Sequence, residues 1–165
     1  MQAVQRLFTL GYIHRKIEDF IRLIEDYEID LVADIRLQNT SQNKPEYSGE
    51  SLKKSLKKIG CSYFHCPEFA VPYPILDAYR ARVFDNSTFV RYLHWRYSAA
   101  VDYVTQERIC SMEKLIRALS EYEKPCILGM LPHASPDSKQ RMICHRLILA
   151  SSLYDSGACR EVIHI

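Results

Sequence analysis

Short apolar runs alternate with amphipathic helical patterns along the chain, and this alternation constrains the fold more than any other feature of the sequence. The uninterrupted apolar run at 31–33 is typical of a strand buried on both faces. Leu52, Leu56 and Ile59 recur at helical spacing, which predicts a helix with one apolar face. Strands that alternate with helices in this way predict a parallel sheet covered by helices on both sides.

The pattern predicts an α/β fold with a three-layer, Rossmann-like arrangement and a mostly parallel five-stranded sheet. We predict strands at 6–10, 30–35, 61–65, 125–130 and 160–165. We predict helices at 17–27, 49–59 and 139–154, and a helical insert of three helices within 75–122, between strands three and four. Asn86 or Ser87 is the expected N-cap of the second insert helix, and Ser111 that of the third. Right-handed crossovers favour the strand order 3-2-1-4-5.

Length and composition are those of one globular domain. The chain has 165 residues, 47% of them hydrophobic and 25% charged, with no internal repeat or linker, so we predict a single α/β domain over 1–165. The net charge of +2 is too small to indicate a nucleic-acid binder by itself, although a local basic patch is compatible with it. We interpret the lysine-rich run at 53–58 as a solvated helix face.

The N-terminal segment and the cysteine pattern both indicate the cellular compartment. We find no apolar leader and no apolar run of membrane-spanning length, and we therefore expect a cytoplasmic protein with no membrane association. The six cysteines include no C-x-x-C pair, which favours reduced thiols over disulfides or a structural zinc site. A metal site built from Cys144, His145 and another Cys or His, such as His133, matches no standard spacing. We predict no metal and no cofactor, and the oligomeric state is left open.

Polar residues follow the predicted strands one and two, and in open parallel sheets ligands bind outside the carboxyl ends of the strands. Gly11 follows strand one, where it either lets a ligand approach the backbone or makes a plain turn. Asp34 and Arg36 end strand two, and alternation places them on the same side of the strand. They form either an ion pair that holds the next loop or a site in which Asp34 orients Arg36 toward an anion.

A second polar stretch, Cys144-His145-Arg146, lies near the start of the last predicted helix. Helix N-termini attract anions through unpaired N–H groups and the helix dipole. At such a place Cys144 is a candidate thiolate nucleophile and His145 a candidate proton carrier. Neighbouring helix residues point about 100° apart, so the two side chains do not form a simple pair. The alternative for Cys144 is inert packing.

Several short motifs occur together and in order: TLGY at 9–12, DIRLQNTSQ at 34–42, PEFA at 67–70, LDAY at 76–79, CHR at 144–146 and VIHI at 162–165. In this combination the chain resembles the Domain of Unknown Function 488 family. The resemblance covers nearly the whole chain and implies a compact intracellular α/β protein. It also implies that the family's recurrent polar positions fall here on Gly11, Asp34, Arg36, Cys144, His145 and Arg146.

The chain departs from the family pattern at the end of strand four. The family usually carries a Cys there and a Glu two residues later, whereas this chain has Gly129 and Leu131. If that Glu is a general acid or base, it is missing here. Glu68, which follows strand three, is a candidate replacement.

Two hypotheses for function follow. The first is a pocket for an anionic, phosphate-bearing ligand, either a nucleotide or a nucleic acid, with or without catalysis on it. Its candidate catalytic residues are Cys144, His145 and Asp34, and its candidate ligand-binding residues are Gly11, Tyr12, Arg36 and Arg146. The second is a catalytically inactive binding or regulatory module that lacks the family's acid.

Overall fold

The strands and helices of the computed structural model, which describes residues 3–102, 104–107, 109–131 and 142–165, follow in the predicted order. The strands are β1 Val4–Gly11, β2 Leu31–Asp34, β3 Ser62–His65, β4 Pro125–Gly129 and β5 Cys159–His164. The helices are α1 Ile17–Asp26, α2 Gly49–Lys58, α3 Tyr73–Arg80, α4 Asn86–Ser98, α5 Met112–Ser120 and α6 His145–Asp155. Short 3-10 turns form at Pro45–Tyr47 and Pro67–Phe69.

The five strands form one parallel sheet in the order β3-β2-β4-β1-β5, which confirms the α/β class. The predicted order 3-2-1-4-5 is wrong, because β4 lies between β2 and β1 and not beyond β1. All five residues of β4 are buried, as suits a central strand, whereas β1 exposes Gln5 and Arg6. Five apolar residues in a row show that a strand is central, but they do not show which strands flank it.

Helices cover both faces of the sheet. Phe20 of α1 and Leu52 of α2 pack on one face, in a core that also contains Val32 and Leu128. Residues of α3 to α6 pack on the other face, in a core that contains Ala33 and Ile127. The connections change face after β3, so the carboxyl end of β4 lies where the direction of winding reverses, with the ends of β1 and β2 on either side. This is the place where parallel sheets form ligand crevices.

Three helix starts differ from the prediction. The side chain of Asp85, and not Asn86 or Ser87, caps α4 by accepting from the Thr88 N–H, whereas the predicted cap Ser111 of α5 is confirmed. Helix α3 begins at Tyr73, two residues before the predicted start of the helical insert at 75, since proline is tolerated in a first helical turn. Helix α6 begins at His145, later than the predicted 139, although residues 139–141 lie outside the described ranges.

All six cysteines are buried and none forms a disulfide, in agreement with the predicted free thiols. Within the described part of the chain, no helix has the length and apolar character needed to cross a membrane.

Candidate anion site at the carboxyl edge of the sheet

Two glycines lie opposite each other at the carboxyl ends of β1 and β4. Gly11 and Gly129 are register partners, and alternation from Leu7 and Ile127 turns both toward the face that α6 covers. A Cβ atom on Gly11 would meet the Leu131 carbonyl oxygen at 1.7 Å and Arg146 Nη1 at 2.8 Å. We call this pair the glycine slot, because the side chain of Arg146 packs against both positions.

Arg146 fills the glycine slot and carries an uncompensated charge. Its side chain is 0% exposed, and Nη1 donates to the carbonyl of Leu131 at 3.0 Å. Its Nε and Nη2 are buried and have no hydrogen-bond partner among the described residues. No carboxylate of the described residues forms an ion pair with the guanidinium. Burial lowers the pKa of Arg146, yet arginine stays charged at neutral pH.

His145 is the first residue of α6, and its imidazole Nε2 is buried without a partner in the part of the chain that the structure covers. Burial lowers the pKa of His145 to about 4, and the positive charges of Arg146 and Arg96 act in the same direction. A hydrogen bond with the backbone of Ile35 acts against this shift but does not outweigh it. The imidazole is therefore neutral at neutral pH.

Cys144 is the N-cap residue of α6 and has extended backbone angles. It therefore lies before the helix, and not within it as predicted. The residue is 1% exposed, and its side chain makes no capping hydrogen bond. The thiol lies close enough to Arg146 to interact with its charge. Cys144, His145 and Arg146 are thus brought to one edge of the sheet, beside Gly11.

Arg96 of α4 acts electrostatically on His145 and was not among the predicted site residues. It is 8% exposed, its Nη2 donates to the Glu68 carbonyl at 3.0 Å, and its Nε has no partner within the described ranges. Its charge acts on the ring of His145. A signal was present, because Arg96 follows Phe89 and Leu93 at helical spacing and so occupies a core position of its helix.

Arg15 adds a further positive charge at this edge. Its Nε donates to the carbonyl of Gly11 at 3.2 Å, and its charge contributes to the lowered pKa of Arg146. Lys44 Nζ donates in turn to the carbonyl of Arg15. The surroundings of the glycine slot are therefore cationic.

Asp34 and Arg36 lie on the same side of the strand, as their alternation predicted, and form a buried ion pair. Arg36 Nη2 lies 2.6 Å from Asp34 Oδ2, and Tyr63 donates its hydroxyl to the same oxygen at 2.7 Å. Arg36 Nη2 also donates to the carbonyl of Tyr47. Burial alone would lower the pKa of Arg36, but the hydrogen bonds and charge of Asp34 raise it. These contacts favour the interpretation in which the pair holds the loop at 37–48.

The Arg36 group lies on the other face of the sheet from Arg146. The ring of Tyr12 lies 4.9 Å from Arg36 Cζ and 4.6 Å from the ring of Tyr47. Both tyrosines belong to the core under α1 and α2, whereas α6 packs on the opposite side. The predicted site residues therefore divide into two groups. Gly11, Cys144, His145 and Arg146 lie together, while Tyr12, Asp34 and Arg36 lie across the sheet from them.

The two positions at which the resembled family carries a Cys and a Glu serve Arg146 here. Gly129 leaves room for the arginine side chain, and Leu131 offers its main-chain carbonyl. The proposed substitute Glu68 exposes its side chain and turns only its carbonyl inward, toward Arg96 and the thiol of Cys110. No acid therefore stands at the glycine slot in the described structure.

A metal site finds no support in the described ranges, where no three His, Cys, Asp or Glu side chains are grouped. His133, the example given for the third ligand of the metal hypothesis, lies outside those ranges.

A family model described as Domain of unknown function DUF488 matches residues 16–153 of the 165. Comparison with curated proteins gives no match, and neither does comparison with solved structures. The matched segment contains β2 to β4 and most of α6, and so includes Gly129 and Arg146. The chain belongs to the DUF488 family of domains of unknown function.

Proposed function

We propose that this protein binds an anionic, phosphate-bearing ligand, such as a nucleotide or the end of a nucleic acid, between the glycine slot and the first turn of α6. One observation carries the proposal: Arg146 is fully buried, and two of its nitrogens and its whole charge are unmatched by the described residues. An unpaired buried charge costs several kcal/mol. A bound anion removes that cost.

The local geometry supports an oxyanion. The first N–H groups of α6, at His145 and Arg146, have no earlier helical turn to bond to, and the helix dipole is positive at this end. Arginine presents its donors in a planar fork that suits phosphate oxygens. Gly11 keeps the neighbouring backbone free of a side chain.

Catalysis on the bound group is a further step of this proposal. Cys144 directly precedes α6 and lies beside the Arg146 guanidinium, and a neutral His145 is able to accept a proton. Asp34 takes no part, since its two oxygens are already bonded to Arg36 and Tyr63 across the sheet.

A binding or regulatory module without catalysis is the second candidate function. It is favoured by Gly129 and Leu131, because neither residue supplies the acid that a proton-transfer mechanism at this edge would use. Loss of an acid beside Arg146 removes a general acid but leaves the anion site intact.

Calorimetric titration tests the proposal. Wild type and Arg146→Gln are titrated with inorganic phosphate, AMP and a short 5′-phosphorylated DNA strand. We expect at least one anion to bind the wild type, and Arg146→Gln to weaken it by about 10-fold to 100-fold, the value of a charged hydrogen bond. Arg22→Gln, on the exposed face of α1, is the matched control and should bind as the wild type does. Equal affinity of Arg146→Gln and wild type refutes the proposal, as does failure of all three probes to bind.

A further inference from the structure

We infer that the outer face of helices α1 and α2 is an interface on which a second copy of this chain docks about a two-fold axis. The two helices lie on the face of the sheet opposite to Arg146, so the interface is independent of the proposed anion site. A groove of about 480 Å³ runs between them and is lined by residues of both helices. The groove has an apolar floor and two walls of opposite charge, and these features together fit a second copy.

The floor of the groove consists of isoleucines. Ile17 and Ile21 of α1 line it together with Ile59, which directly follows α2. All three residues pack against the core beneath the two helices, yet each is only half-buried. A partner that covers them removes apolar surface from water, which favours association.

The two walls of the groove carry opposite charge. Helix α1 has four carboxylates and one arginine, a net charge of −3, whereas α2 has four lysines and one carboxylate, a net charge of +3. All ten of these residues are exposed. Glu18 and Glu25 line the groove on the α1 side, and Lys58 lines it on the α2 side.

These charges are not neutralised within one chain. Among the described residues no lysine of α2 takes part in an ion pair. The pair within α1 joins Arg22 to Asp19 along the same helix and leaves the other carboxylates of α1 unpaired. Both rows of charge therefore remain available to a partner of complementary pattern.

The direction of the helices makes this pattern self-complementary. Both helices connect the carboxyl end of one parallel strand to the amino end of the next, so they run in the same direction. A two-fold axis along the groove lays α1 of one copy over α2 of the other, and α2 over α1. Negative then meets positive on both sides, and the isoleucines of the floor meet their own copies at the axis. An isologous contact requires such a pattern, whereas α1 would repel a polyanion.

The size of the face sets the expected affinity. Each helix has ten residues and is about 15 Å long, and two neighbouring helices together are about 20 Å wide. The resulting flat area of about 300 Å² is well below the roughly 800 Å² per partner of a standard interface. We therefore expect a weak dimer that is half dissociated at about 100 µM.

Sedimentation velocity measures the association of the wild type from about 10 µM to about 1 mM. We expect a reversible dimer at low salt and a several-fold larger dissociation constant in about 0.5 M salt, because salt screens exposed charges. Wild type that stays monomeric up to about 1 mM overturns the inference, as does a dimer that salt does not weaken.

Charge reversal identifies the face. Glu18→Lys/Glu25→Lys makes both helices positive. Lys54→Glu/Lys58→Glu makes both helices negative. Neither variant should dimerise alone up to about 1 mM, because like charges then meet. An equimolar mixture of the two should dimerise as the wild type does, since each copy supplies the charge that the other lacks.

The matched control is Arg91→Glu/Lys114→Glu, at exposed positions of α4 and α5 across the sheet. It changes the net charge by the same amount as Lys54→Glu/Lys58→Glu and should dimerise as the wild type does. All variants should melt at the wild-type temperature in circular dichroism, because every substituted residue is exposed. A mixture of the two reversed variants that stays monomeric overturns the inference. Dimers of either reversed variant alone, or loss of the dimer in the control, also overturn it.

Discussion

The Cβ and Cδ atoms of Arg146 each lie 3.4 Å from the point at which a Cβ atom on Gly129 would stand. That distance is an ordinary van der Waals contact, whereas a Cβ atom on Gly11, the register partner of Gly129, would overlap the Leu131 carbonyl and come within 2.8 Å of Arg146 Nη1. The same arginine lacks a counter-charge in the described structure. The packing around Arg146 is close, although burial of its charge is unfavourable. The predictions below test the packing and the unpaired charge separately.

Replacing Gly11 by alanine should disrupt the slot. The new Cβ would overlap the backbone oxygen of Leu131, which has little freedom to move, so we expect a loss of about 3 kcal/mol or more in the free energy of unfolding. Gly129→Ala is the matched comparison, since its new Cβ would make only ordinary van der Waals contacts with Arg146, and it should change the free energy of unfolding by less than about 1 kcal/mol. Urea denaturation measures both. Equal free energies of unfolding for the two variants would contradict the close backbone contact at Gly11.

Arg146→Met should abolish anion binding without destabilising the protein. Methionine fills a similar volume without a charge, and replacing buried ionic groups with apolar ones is often neutral or stabilising. One hydrogen bond to Leu131 is lost, at about 1 kcal/mol. We therefore expect the free energy of unfolding in phosphate-free buffer to stay level or rise by about 1–2 kcal/mol. A fall of several kcal/mol would mean that Arg146 is a structural residue with a partner of its own.

Stability should fall as the pH drops from 6.5 to 4. The pKa of His145 is about 4 in the folded protein and 6.5 ordinarily, so the unfolded chain binds the extra proton in this window and folding opposes it. The contribution of the neutral His145 to the free energy of unfolding is present above pH 6.5 and lost by pH 4. It amounts to about 3 kcal/mol at most. Denaturation at several pH values should show a shallower slope for His145→Gln than for wild type. The exposed His14→Gln serves as control, and a slope unchanged in His145→Gln refutes the assignment.

Arg36→Met should destabilise the protein and leave anion affinity unchanged. The substitution strands the buried Asp34 carboxylate, and breaking such a pair costs about 3–5 kcal/mol. The double variant Asp34→Leu/Arg36→Met should recover most of that loss, which a double-mutant cycle measures. Titration is done at low temperature, where the variant remains folded. Weaker anion binding with unchanged stability would move Arg36 into the ligand site.

The order of the strands and helices could be predicted from the sequence because each element has its own hydrophobic pattern, either a short apolar run or apolar residues at helical spacing. The run at 31–33 and the spacing of Leu52 and Leu56 depend only on local burial. The strand order could not be predicted in the same way. Whether β4 pairs with β2 and β1, as in the structure, or with β1 and β5, as predicted, depends on contacts between segments far apart in sequence.

The candidate site could be predicted only in part, because the sequence shows at which edge of the sheet a residue lies but not which contacts it makes there. The carboxyl ends of parallel strands meet at one edge, so Gly11 and Arg146 could be expected near each other. The face of the sheet was the missing information. Arg36 shares the side of Val32 and so packs under α1 and α2, whereas the glycine slot opens toward α6. Arg96 was missed because it lies among tyrosines in the helical insert, remote in sequence from the strand ends.

The central position of β4 also bears on how the molecule is made. β1 and β2 are separated by β4 and pair with it on either side, yet β4 begins only at Pro125. During synthesis β1 and β2 therefore leave the ribosome before β4, the strand that lies between them. Until β4 emerges, β2 is able to pair only with β3. Parallel pairing over such sequence distances is slow and leaves apolar surface open to aggregation. The nascent protein should need protection until its fourth strand has emerged and inserted between the first two.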